Sequence, residues 1–62
     1  MTVEALFETV IKPLYNGELL IQEEREIVYS GYPKEKRIYA WLMVKEVEEI
    51  YPAKDGELLI VV

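Results

Sequence analysis

The chain has no cysteine and no histidine. It therefore lacks disulfide staples, thiolate and imidazole metal ligands, and any nucleophile paired with a histidine. Positive charge is also scarce. Seven Lys and Arg stand against twelve Asp and Glu, for a net charge of −5. Nucleic-acid binding draws its affinity from neutralised phosphates, so this balance argues against a nucleic-acid partner; it suits solubility or a basic protein partner. No apolar run comes near the roughly 18 residues needed to span a bilayer. The N-terminal stretch lacks the basic start and long apolar centre of a secretory signal. From these absences we expect no membrane partner and a cytoplasmic location, which the missing cysteines also suit. Glycine and proline are few, at three each, while 52% of residues are hydrophobic. Such a composition folds, and 62 residues make a single domain, 1–62.

The strongest local signal is at the C-terminal end. Asp55-Gly56 is a turn pair, and Leu58-Leu59-Ile60-Val61-Val62 follows Glu57 as a short, partly β-branched apolar run. This reads as a buried strand over 57–62. The same phrase occurs earlier. Pro13-Leu-Tyr-Asn-Gly-Glu-Leu-Leu-Ile and Pro52-Ala-Lys-Asp-Gly-Glu-Leu-Leu-Ile match at an offset of 39 residues. Turn-then-strand reached twice explains the echo more simply than a duplicated unit, since the flanks align poorly. Either way, two similar apolar strands, 18–22 and 57–62, are expected at the centre of the sheet. Apolar residues on both faces of a strand call for cover on both.

Around them the remaining elements follow. Val3, Leu6, Phe7, Val10 and Ile11 keep helical spacing, with Thr2 placed to cap and Pro13 placed to stop, giving a helix over 2–12. Leu14 would extend the stripe. Glu23 to Glu26 is a charged turn between strands 18–22 and 26–31, the second with Ile27 and Tyr29 on one face and Val28 on the other. Pro33 fits the first position of a helix carrying Ile38, Trp41 and Leu42 on one face. Lys34, Lys36 and Arg37 then fall at the helix end where the dipole disfavours cations. Residues 43–51 are ambiguous. Ala40, Val44, Val47 and Tyr51 continue a helical period, whereas Val47 and Tyr51 set against Glu46 and Glu48 give a weak alternation. Periodicity leans to one long helix over 33–50.

The order of a short amphipathic helix, an apolar strand, Ile27-Val28-Tyr29-Ser30-Gly31, a helix opening at Pro33, Val47, Ile50-Tyr51 and a terminal Leu59-Ile60-Val61-Val62 resembles a loose set of short uncharacterised proteins of Gram-positive phages and prophages. The likeness covers most of the chain. It implies that 45–51 is a strand paired with the last one, and it implies no catalytic residues. Residues 34–43 depart from the pattern, being longer and more helix-prone. The expected fold is therefore α+β, in the order α-β-β-α-β-β: a four-stranded, mostly antiparallel sheet with helices 2–12 and 33–42 and strands 18–22, 26–31, 45–51 and 57–62. The alternative is α-β-β-α-β with a single long second helix, 33–50.

Nothing in the sequence assembles a reactive centre. Glu23/Glu24 and Glu48/Glu49 are adjacent and would point to opposite faces of a strand. Glu46 and Glu48 would share a face, as a charged edge that discourages strand addition. We expect no cofactor, no metal and no enzyme. The residues that invite a partner are Tyr32, Lys34, Lys36, Arg37, Tyr39 and Trp41, since Tyr, Trp and Arg are the usual anchors of protein interfaces. The same basic and aromatic set would suit stacking on single-stranded nucleic acid, which the net charge opposes. The function expected is a small non-catalytic interaction protein, an accessory or host-modulating product of the phage type. A structural homo-oligomer subunit and a ligand binder or enzyme built on carboxylates and tyrosines are the alternatives.

Overall fold

A computed structural model describes the backbone of residues 1–62 and every side chain except that of Lys54. Its architecture is α+β, with two helices on one face of a four-stranded sheet. Helix α1 runs from Val3 to Leu14. It is α-helical over Val3–Leu6, π-helical over Phe7–Ile11 and α-helical again over Lys12–Leu14. Thr2 caps it as expected, its hydroxyl accepting from the Ala5 amide at 3.1 Å. Two details differ from the sequence reading. The helix passes through Pro13, because the wide turn before it relaxes the clash a proline ring makes with the carbonyl four residues back. That turn also shifts the phase of the stripe, so Val3, Leu6 and Ile11 are buried while Val10 and Leu14 are exposed, Leu14 at 76%.

The strands are β1 (Leu19–Glu23), β2 (Glu26–Gly31), β3 (Glu49–Pro52) and β4 (Leu58–Val61), in the order β2-β1-β4-β3. β1–β2 and β3–β4 are antiparallel, and the central pair β1–β4 is parallel. The two apolar strands are thus the central ones. Their register sets Leu19 beside Leu58, Leu20 beside Leu59 and Ile21 beside Ile60. Partners in this ladder differ by 39 in number, which is also the offset of the sequence echo. The repeated residues lie side by side.

β1 and β2 meet in a two-residue turn, Glu24-Arg25, with both residues at positive φ (49° and 71°). A register shift then leaves Val28 without an opposite residue: Ile21 pairs with Tyr29, but Gln22 pairs with Ile27. This bulge corrects the expected alternation. Tyr29 is buried and Ile27 is turned to the other face, 51% exposed.

The second helix, α2, is only Ala40–Met43, not 33–42 and not 33–50. Pro33 to Lys36 form a turn in which the Glu35 and Lys36 amides both donate to the Tyr32 carbonyl at 2.8 Å. Tyr39 is extended (φ −61°, ψ 142°), which lets Ile38 reach the core. The three cations that sat badly at a helix N-terminus are not in a helix. After α2 the chain runs along the start of α1, where the Val3 amide donates to Lys45 at 2.9 Å and the Val47 amide to Met1 at 2.8 Å. Only then does it enter β3. The expected strand 45–51 is shifted to 49–52, and the long-helix alternative fails because residues 45–47 pair with the N-terminal segment. Pro52 is tolerated because β3 is an edge strand.

The core is Val3, Leu6, Ile11, Leu19, Ile21, Tyr29, Ile38, Leu42 and Ile60. Both helices contribute to it, and both lie on the sheet face that carries Leu19, Ile21, Tyr29 and Ile60.

Candidate functional site

The basic and aromatic residues of the 32–41 segment divide into two groups. On one side, the Lys36 ammonium sits 5.1 Å from the centre of the Tyr29 ring and 5.8 Å from that of Tyr39. It also donates to the Ser30 carbonyl at 3.0 Å. Tyr29 meets Tyr39 edge-on at 5.7 Å, and Tyr39 stacks on Trp41 at 6.4 Å. The Tyr29 hydroxyl donates to the Lys36 carbonyl at 2.5 Å. Burial, and then the neighbouring Tyr39, push the Tyr29 phenol above its ordinary pKa. Lys36 is therefore occupied within the fold: it ties the non-helical segment to β2 through cation–π and carbonyl contacts. Trp41 remains 46% exposed at the end of the stack.

On the other side, Lys34 and Arg37 line a groove of about 530 Å³ with Phe7, Pro33, Ile38 and Met43. Among the described residues Glu35 is the one carboxylate lining this groove, and no tyrosine lines it. Lys34 donates to the Asn16 side chain. Tyr32 is exposed at the start of the turn. Of the six residues singled out in the sequence, Lys36, Tyr39 and Trp41 thus belong to the stack, Lys34 and Arg37 line the groove, and Tyr32 precedes both.

At the start of the central strands, the echo builds a small polar cluster. The Tyr15 hydroxyl lies 2.6 Å from the carbonyl oxygens of both Glu18 and Gly56, bridging the beginnings of β1 and β4. Burial, followed by the charges of Glu57 and Glu18, raises its pKa. Glu18 and Glu57 are equivalent positions of the echo. A hydrogen bond that the protonated Glu57 carboxyl donates to the Glu18 carboxylate, partial desolvation and the charges of Glu18 and Asp55 hold the Glu57 carboxyl above the usual carboxylate range. Among the described residues no group of three or more acidic side chains is arranged to hold a metal ion.

The second face of the sheet is the feature that sequence reasoning caught only in part. Strand alternation and the pairing registers put Leu20, Leu59, Val61, Ile27 and Tyr51 on the face away from both helices. None of these five belongs to the core or packs against it. Ile27 is 51% and Tyr51 46% exposed. Leu59 and Val61 were foreseeable, because a continuous apolar run must have two apolar faces. Ile27 was not, because only the bulge turns it there. Glu18, Glu57 and Glu49 continue the same rows, and no Lys or Arg occupies a strand position on this face.

No family model matches the chain, and no match to it is found among curated proteins or among solved structures. Among the described residues no helix is long and apolar enough to cross a membrane.

Proposed function

We propose that the chain is a non-catalytic interaction module that docks a protein partner on the open face of its sheet. The observation that carries this reading is the row of Leu20, Ile27, Leu59, Val61 and Tyr51, apolar side chains gathered on one face with neither helix over them. A contiguous apolar patch rimmed by polar groups marks a binding surface. The order of elements, which resembles that of small phage and prophage proteins, supports an accessory or host-modulating role in the cytoplasm. A reading as an enzyme or as a carboxylate- and tyrosine-based ligand binder wants two such groups enclosed together, and the groove beside α1 offers one.

A photo-crosslinking residue tests the reading. Placed at Tyr51 in a Gram-positive host lysate, it should capture a discrete partner. Placed at Glu8, on the exposed side of α1, it should capture none. Equal yields at the two positions, or none at Tyr51, would overturn the proposal, and a product of twice 7.3 kDa would assign the face to a second copy of the chain.

A further inference from the structure

Resting on that reading, the geometry points to a basic amphipathic helix as the occupant of the open sheet face. Two observations select it. The first is charge. The apolar centre is rowed with Glu18, Glu57 and Glu49 and carries no strand-borne cation, while Lys45 is held on the covered side by Glu23 at 2.9 Å. Glu18 and Glu57 stand next to each other where the central parallel pair begins, so one cation laid over that end of the sheet meets both carboxylates. A second copy, also at −5, would bring the same carboxylates against these. The second is size. Four strands about 4.8 Å apart and about 16 Å long make a footprint of about 300 Å². A stable pair of proteins buries about 800 Å² on each partner. One helix about 10 Å across, laid over the central strands, matches the footprint that is present. Its apolar residues would recur at i, i+3, i+4 and i+7 against Leu20, Leu59 and Val61, with Lys or Arg flanking them to meet Glu18, Glu49 and Glu57.

The probes are four synthetic 14-residue peptides of high helix propensity. One has a Leu/Ile stripe flanked by Lys, one has the same stripe flanked by Glu, one has the lysine composition with the stripe scrambled, and one has the stripe replaced by Ala. The full chain is titrated with each while backbone and methyl NMR shifts are followed. The expected result is micromolar binding of the striped Lys peptide alone, with shifts concentrated at Leu20, Ile27, Tyr51, Leu59 and Val61. Affinity should fall about tenfold in the E18Q/E57Q double variant and with added salt. Equal binding of the scrambled Lys peptide, or shifts spread over the helices, overturns the inference by reducing the effect to general charge attraction. Binding of the Glu-flanked peptide at this face overturns it too, and leaves the interaction reading standing. If no peptide binds and light scattering shows a dimer dispersed by Leu59→Lys, the occupant is a second copy and the inference falls alone. If no peptide binds and the chain is a monomer at every concentration, both fall.

Discussion

Tyr15, Gly17, Glu18, Gly56 and Glu57 show how tightly single residues are fixed where β1 and β4 begin. A Cβ built on Gly17 would lie 2.6 Å from the Gly56 carbonyl oxygen and 2.5 Å from the Tyr15 hydroxyl. One of these atoms is backbone, so the clash is not relieved by a side-chain rotation. Gly17→Ala should cost about 2 kcal/mol, lowering Tm by roughly 10 °C in a domain this small; an unchanged melting curve would show that the approach is looser than described. Glu57 makes a prediction in pH. Its carboxyl is raised in the folded chain, so the folded state favours the protonated form. That contribution is present below the ordinary carboxylate pKa and is lost as pH rises through the raised one. Glu57→Gln should therefore raise Tm at pH 7, and the gain should vanish at acid pH. A gain that persists at acid pH would assign the effect to something other than charge.

Among the elements, the β1–β2 hairpin carries visible strain. Its turn needs positive φ at both central positions, a geometry that Asn-Gly satisfies best, yet Glu24 and Arg25 occupy it. The double variant E24N/R25G should stabilise the domain by about 1 kcal/mol in urea denaturation, since L-residues with Cβ pay about that much or more in this region. No change in the midpoint would mean that the turn relaxes in solution. The hairpin also marks where sequence reading stops. That strands exist at 18–22, 26–31 and 57–62, and that the two apolar ones are central, follows from alternation, turn residues and the echo. The Val28 bulge does not follow, because nothing in Ile27-Val28-Tyr29 says which residue the partner strand will skip. The second helix is shorter than its sequence suggests for a similar reason. Lys34 to Leu42 has helical propensity, but burying Ile38 and laying Lys36 over Tyr29 require an extended chain, and that tertiary demand wins over propensity. The open face was legible only as a question of cover, since strand patterns do not say on which side a helix will land.

In the whole molecule, β1 and β4 together carry a liability. Two identical Glu-Leu-Leu-Ile segments run parallel, in register and adjacent, which is the arrangement by which amyloid fibrils stack copies of one segment. The native sheet is in this sense a two-rung stack, closed off by β2 on one edge and β3 on the other. β2 is a firm stop. β3 is four residues long and exposed throughout, so it is the weaker one. When β3 frays, Leu58–Val61 becomes an open, uncharged, wholly apolar edge, ready to template a third rung from another chain. Ile50→Gly should accordingly shorten the lag of thioflavin-positive aggregation well beyond that of Leu6→Val matched to it in stability by added urea. Equal lag times would mean that global unfolding, and not the loss of this one guarding strand, opens the route to fibrils.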